Sequence, residues 1–271
     1  RDSQEADRPG YDLVVQGEAG LMALNGDPGQ GPLKFGVAVV DLFTGMYSAQ
    51  AILAALFDRQ RTGQGRHIQM ALYDCGLMVT AYYGMEALAL GAEPPKFGND
   101  HPTIVPYGVF DAADGPLVIT VGNNAQFQRF CNEVIARPDL AADPRYATNI
   151  ARSAHRDTLA PELKKELRAR PRKQLLERLT AAGIPCGEVL GLLEALQSPR
   201  AQQANLVTRQ PLPGGDNGDM PVLAPPYRFD GHRAPVRHPP PALGEDNDQI
   251  LSGLLGLTSD QIAALKAEGV V

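Results

Sequence analysis

Lys34–Asp74 reads KFGVAVVDLFTGMYSAQAILAALFDRQRTGQGRHIQMALYD, and its patterning sets the fold class. From Val37 to about Arg61 no proline interrupts the run, and good helix formers dominate, which predicts one long helix. Its apolar residues (Val40, Phe43, Met46, Tyr47, Ile52, Leu53, Leu56, Phe57) fall on most faces. A helix apolar all round is expected to be buried for most of its length. Arg59 and Arg61 suit the negative end of the helix dipole, and Gly63 and Gly65 supply a stop. HIQMALYD, 67–74, alternates Ile68, Met70 and Leu72 with polar or small neighbours and predicts a strand. A second apolar helix is expected from about Cys75 to Leu90. Helix, strand, helix in succession point to an α/β domain.

Working outward, YDLVVQGEAGLMALN, 11–25, has apolar residues at helical spacing, with Gly17 and Gly20 marking a close backbone approach. DPGQGPLKFG, 27–36, is turn chemistry. AEPPKFGNDHPTIVPYG, 92–108, is too long for a simple turn and reads as a linker or binding loop. VFDAADGPLVITVG places two β-rich runs around Asp-Gly, a hairpin signal. Residues 124–204 read as short helices separated by prolines (Pro138, Pro144, Pro161, Pro171, Pro185) with surface-like charge. Strands and Pro-rich turns, APPYRF and HPPPALG among them, occupy 205–241. The tail predicts two short amphipathic helices, the second opened by a capping box from Thr258 to Gln261. The expected organisation is a large α/β domain from 1–91, a linker over 92–105, a smaller α+β domain over 106–205, and a return segment, 206–271. No internal repeat is visible.

The chain has 271 residues, 44% of them hydrophobic, enough for one large core or two modest ones. A net charge of −6 without a basic block argues against a nucleic-acid groove. Cys75, Cys131 and Cys186 are odd in number and widely spaced, with no histidine at metal-ligand spacing. They read as reduced thiols of a cytoplasmic protein, with no metal site. No apolar stretch is read as reaching the roughly 18–20 residues of a membrane span, so no membrane partner is expected. RDSQEADRPGYD has no apolar signal core, opens without Met, and reads as though cut from the middle of a longer chain.

Asp41 is the odd residue of the long apolar run. On the first turn of a helix a carboxylate gains from the macrodipole and stays ionised, as a nucleophilic carboxylate must. Gly45, one turn on, opens room beside it. An aspartate that caps or pairs within its own turn fits the same spacing. His101 lies in a Gly-Pro loop of the kind that touches ligands, though a solvated loop histidine fits equally. Tyr82 and Tyr83 read as core. No Ser-His-Asp set, GxGxxG or Walker loop can be built.

Four pieces occur together in order: RPGYDLVVQGEAGLM (8–22), the 34–74 stretch, PPKFGNDHPTIVPYGVFDAADGPLVITVG (94–122) and ALGEDNDQILSGLLGL (242–257). In this the chain resembles the class III coenzyme A transferases, the CaiB/BaiF family, over nearly its whole length. The resemblance implies a Rossmann-like large domain, incomplete here, with a smaller α+β domain, in a homodimer of intertwined chains. Asp41 falls on the family's nucleophile, which captures CoA from an acyl-CoA and passes it to a carboxylic acid. Tyr11 matches an active-site tyrosine. Gln16, Gly98, Asn99 and His101 are carried as substrate or CoA contacts, the last three near a loop that covers the site. The related racemases place a histidine in Gly-His-Asp where this chain has Gly10-Tyr11-Asp12. Tyrosine, with a reference pKa near ~10, is a poor base at neutral pH, which favours transferase. The family's N-terminal segment is absent from the sequence, which leaves room for a supplying segment or chain, or for a non-catalytic member.

Overall fold

A left-handed glycine ends the long helix where the sequence places its stop. Gly63 (φ 69°) returns its N–H to the Arg59 carbonyl at 2.8 Å, closing the helix Val39–Thr62. The computed structural model describes residues 7–211, 218–234, 238 and 241–271. The chain divides into two compact units, 1–188 and 189–271.

The first unit opens with α1 (Asp12–Glu18), α2 (Leu21–Leu24), α3 (Val39–Thr62), α4 (Leu72–Val79) and α5 (Tyr82–Leu90). Val15, Ala19, Leu21 and Val40 form a small buried cluster, with Phe35, Leu72 and Val79 packed against it. The backbones of α1 and α4 approach at Gly76. A Cβ there would lie 2.9 Å from Val15 Cγ1 and 3.0 Å from Ala19 Cβ, so only glycine fits without a shift. Beyond α3 the chain is pulled back by Asp58, which bonds Arg66 at 2.7 Å and Arg61 at 3.0 Å. Those hydrogen bonds, Arg66 first, hold the Asp58 carboxyl below the usual carboxylate range.

Four expectations for this half are corrected. Helix α3 is not buried for most of its length: Val40 is its one buried residue, while Leu42, Met46, Leu53 and Phe57 face outward. Apolarity on all faces records that the helix needs cover, and the described residues supply it only at its first turn. The 24-residue helix also meets the length and apolarity of a membrane span, contrary to the sequence reading. Its Gly, Ser, Thr and Gln residues are too weakly polar to offset the aliphatic ones, although length and composition alone place no helix in a bilayer. HIQMALYD is not a strand: 64–71 has no regular structure and α4 starts at Leu72. A strand needs a paired neighbour, and no strand is described in 7–91. The expected helix from 75 to 90 is two, broken at Ala81 (φ 49°, ψ −124°). There Thr80 Oγ1 donates to the Leu77 carbonyl at 2.7 Å, offering the backbone an alternative to continuing the helix.

From residue 105 onward the unit has a well-formed core. Strands β1 (Tyr107–Ala112) and β2 (Gly115–Thr120) form the predicted antiparallel hairpin, with Ala112 opposite Gly115 across Ala113-Asp114. β3 (Cys186–Glu188) adds antiparallel to β2. Every strand pair among the described residues is antiparallel, so the parallel sheet of a doubly wound domain is not found there. Packed against the sheet are α6 (Asn124–Arg129) with its π-helical continuation Phe130–Val134, α7 (Pro138–Ala142), α8 (Asn149–Ala154), α9 (Arg156–Arg168) and α10 (Arg172–Ala181). Leu159, Leu163 and Leu167 recur every fourth residue on α9, as do Leu175 and Leu179 on α10. All are sealed against Leu117, Ile119, Phe127 and Phe130. Pro161 sits inside α9 rather than between helices, near enough its start that a single backbone bond is forgone.

The second unit holds α11 (Leu192–Gln197), α12 (Pro199–Gln203), the hairpin of β4 (Val207–Pro211) and β5 (Asp219–Leu223), the short pair β6 (Arg228–Phe229) and β7 (His232–Arg233), then α13 (Asn247–Gly253) and α14 (Ser259–Ala267). The predicted capping box opens α14: Thr258 Oγ1 accepts from Gln261 N–H, and Gln261 Oε1 accepts from Thr258 N–H at 2.9 Å. Pro239 and Pro240 of the HPPPALG turn, and residues 1–6 of the polar opening, lie outside the described residues.

Candidate active site

Helix α3 starts without a cap of its own, since Ala38 at its N-cap offers no side-chain acceptor. The cap comes from α1. Asp12 Oδ2 accepts the N–H of Val40 at 2.8 Å and that of Asp41 at 3.3 Å. Gln16, one turn further along α1 and only 1% exposed, locks the arrangement. Its amide nitrogen donates to Asp12 Oδ1 and to the Val37 carbonyl, and its amide oxygen accepts from Phe35 N–H at 2.8 Å. Residues 35–41 are thereby pinned to α1 at both ends. Gln16, expected from the resemblance as a ligand contact, makes three hydrogen bonds within the chain.

Asp41 stands on the first turn of α3, as the sequence predicts, but on an exposed surface rather than a buried one. Among the described residues its carboxylate accepts no hydrogen bond and forms no ion pair, so it neither caps nor pairs within its turn. The helix dipole still favours its negative charge. A Cβ built at Gly45 meets nothing within 4 Å, so the space one turn on is open. Tyr11, 76% exposed, precedes the capping aspartate and presents its ring to solvent. Tyr11, Gln16 and Asp41 are therefore gathered around one feature that sequence reasoning missed, the capping role of Asp12. Twenty-eight residues separate Asp12 from Val40, and no local spacing signals such a cap.

Replacing Asp12 with alanine is expected to lower stability by about 1–2 kcal/mol, the scale of a lost N-cap. Asparagine, which keeps an acceptor, is expected to recover most of it. Thermal unfolding of the two variants checks this; equal losses would mean that the negative charge, not the acceptor, makes the cap.

Gly98, Asn99 and His101 lie on a second feature, the loop leading into β1. Gly98 (φ 58°) packs where a side chain would collide with the Asp27 carboxylate, and Lys96 donates to the Gln30 and Gly31 carbonyls at 3.2 and 2.7 Å. Asn99 is exposed, with its carbonyl against Gly108. His101 is half-buried. Its Nδ1 accepts from the N–H of Thr103 and of Ile104, both at 3.2 Å, and its ring lies 5.0 Å from that of Tyr107. With Nδ1 so engaged, the neutral ring carries its proton on Nε2. His101 thus shapes its own loop. The loop reaches the first feature through a cavity of about 350 Å³ lined by Phe35, Ala81, Tyr82, Gly98 and Asp100 among others. Tyr82, read from sequence as core, is exposed, while Tyr83 stacks beside it at 4.5 Å. No metal-ligand cluster is found among the described residues.

An exposed aspartate, without a hydrogen-bond or ion-pair partner among the described residues, stands on the pinned start of a long helix in a chain of mixed helix and sheet. The chain belongs to CoA-transferase family III, whose model matches residues 1–247. It is 39% identical over 251 residues to a succinate–glutarate CoA-transferase of Agrobacterium fabrum, covering 92% of this chain and 62% of that protein. It is 34% identical to an acetyl-CoA:oxalate CoA-transferase of Acetobacter aceti, covering 85% and 58%. Among solved structures it resembles a CaiB/BaiF family protein from Brucella suis with a TM-score of 0.77 and 37% identity, covering 93% of this chain and 65% of that one. The chain thus spans 62% and 58% of the lengths of these two curated relatives.

Proposed function

We propose that this chain carries the nucleophile of a CoA-transferase, and that the nucleophile is Asp41. The observation that supports this most is an exposed carboxylate without a partner among the described residues, held at the start of a helix whose first N–H groups are already engaged by Asp12. Such a group is reachable and stands on backbone that is held in place, as attack on a thioester requires. In this reading the Asp41 carboxylate attacks the acyl-CoA carbonyl, giving a mixed anhydride and expelling CoA thiolate. The thiolate attacks the aspartyl carbonyl of that anhydride, releasing the donor acid and leaving an aspartyl-CoA thioester. An acceptor carboxylate repeats the two steps in reverse, and Asp41 is regenerated. The names of the two relatives suggest short dicarboxylic acids as partners, succinate, glutarate and oxalate among them.

The wider reading is of a cytoplasmic, metal-independent homodimer that binds neither nucleic acid nor membrane. In this reading residues 1–91 and 206–271 belong to a Rossmann-like domain, and 92–105 link it to a small domain over 106–205. The apolar outer faces of α3 and α5 support a protein partner as their cover. Three cysteines without a disulfide among the described residues support a reducing compartment.

Incubation of the full chain with acyl-CoA and hydroxylamine should convert Asp41 to its hydroxamate, located by peptide mass spectrometry. Solvent deuterium appearing at the acyl α-carbon, with no modified aspartate, would instead identify a racemase. Absence of CoA binding by calorimetry would identify a non-catalytic chain.

A further inference from the structure

Asp41 shares the first turn of α3 with backbone donors that ordinarily attract a carboxylate. Val39, Val40 and Asp41 open the helix, and their N–H groups have no acceptor within it. A carboxylate on that turn is drawn to such groups by hydrogen bonding and by the macrodipole. An aspartate folded back in this way is a helix cap, with its oxygens engaged.

In this structure each of those donors is already taken. Val39 N–H reaches the Val37 carbonyl at 2.8 Å, and the N–H groups of Val40 and Asp41 go to Asp12 Oδ2 at 2.8 and 3.3 Å. Leu42 N–H closes the first regular helical bond, to the Ala38 carbonyl at 3.1 Å. The nearest hydroxyl along the helix is engaged as well: Thr44 Oγ1 donates to the Val40 carbonyl at 2.8 Å. The charge on Asp12 also repels a second carboxylate that approaches the same N–H groups. Asp12 is itself braced. Gln16 donates to its other oxygen, Oδ1, and α1 is fixed against α4 at Gly76, where a Cβ would meet the side chains of Val15 and Ala19.

We infer that Asp12 is a positioning residue of the transfer reaction: its side chain occupies the donors at the start of α3, which keeps the Asp41 carboxylate from capping its own helix and leaves its oxygens free for the thioester. This rests on the CoA-transferase reading. The Asp12 side chain touches the backbone of the nucleophile and, in this reading, none of the reacting atoms. The step affected is attack by an Asp41 oxygen on the acyl-CoA carbonyl, which expels CoA thiolate. A carboxylate bonded to its own helix must break a charge-assisted hydrogen bond before it attacks, and the bonded oxygen has less charge to donate.

The test is single-turnover formation of the aspartyl-CoA thioester by the full chain, with the modified Asp41 located by peptide mass spectrometry. Its rate constant at saturating acyl-CoA is expected to fall roughly ten- to a hundredfold in Asp12→Ala, the scale of one hydrogen bond to an ionised group. The acyl-CoA concentration giving half the maximal rate should stay close to that of the wild type. Asp12→Asn, which keeps an acceptor in place, should restore most of the rate. Asp12→Glu, which keeps the charge but shifts the acceptor by one methylene, should be slowed. A crystal structure of Asp12→Ala should show the Asp41 carboxylate bonded to the N–H of Val40 or to its own.

A purely structural cap would lower the fraction of chain that becomes modified and leave the rate constant of the modified fraction unchanged, and that result overturns the inference. An Asp41 carboxylate still free of its helix in the alanine variant overturns it too. Should Asp12→Ala fail to fold, Asp12→Glu reads the same rate constant, and an unaltered value counts against it. A wild type that forms no aspartyl thioester overturns the functional reading itself. Normal formation in the wild type and an unslowed Asp12 variant overturn this inference alone.

Discussion

Replacing Asp41 with asparagine or alanine is expected to reduce CoA transfer by on the order of 10⁴-fold or more, the scale of removing a covalent nucleophile. Both variants should fold as the wild type does. The Asp41 carboxylate accepts no hydrogen bond and forms no ion pair among the described residues, and surface changes of that kind stay within about 0.5 kcal/mol. Asparagine is the sharper variant, because it keeps the size of the side chain and only the nucleophile is lost. The measurement is steady-state transfer between an acyl-CoA and a dicarboxylic acid, beside a thermal unfolding curve. Lost activity with unchanged unfolding supports the nucleophile; retained transfer in the asparagine variant assigns the chemistry elsewhere.

Arg152 should show the opposite pattern, with its effect on stability. Its guanidinium is fully buried, stacked 4.4 Å from the Phe127 ring centroid, and donates to the carbonyls of Val105 and Tyr146 and the side-chain oxygens of Asn124 and Asn149. All four acceptors are neutral, and burial pushes the guanidinium pKa down. Arg152→Met keeps apolar volume but leaves those oxygens without their donor, two of them backbone carbonyls. Each buried group left unsatisfied costs about 1–3 kcal/mol, so a net loss of about 3–5 kcal/mol is expected after the gain from removing a buried charge. Urea denaturation of the full chain measures it. A loss under about 1 kcal/mol would mean that water replaces the guanidinium at those carbonyls.

Much of this was legible in the residues, and the legible parts share a cause. The Gly63 stop, the Asp-Gly hairpin and the Thr258–Gln261 capping box all depend on neighbours within about one turn of chain. Two of the readings that failed depended on distant partners. HIQMALYD has the alternation of a strand, but a strand exists only with a neighbour to pair with. The uniform apolarity of α3 records a need for cover without naming what supplies it. The break at Ala81 comes from a hydroxyl that bonds back into its own helix, a competition that composition does not reveal.

The candidate site divides along the same line. The sequence by itself determined that Asp41 stands on the first turn of a long apolar helix, because helix start, period and stop are local properties of residues 37–63. Its four ordered motifs also determined the family. Only the tertiary structure decided that Asp41 is exposed and without a partner among the described residues, that Asp12 caps α3 from 28 residues away, and that Arg156 reaches back 55 residues to the His101 carbonyl. Those contacts arise when distant segments close on one another, and the free energy that selects them belongs to the packed chain rather than to any stretch of it.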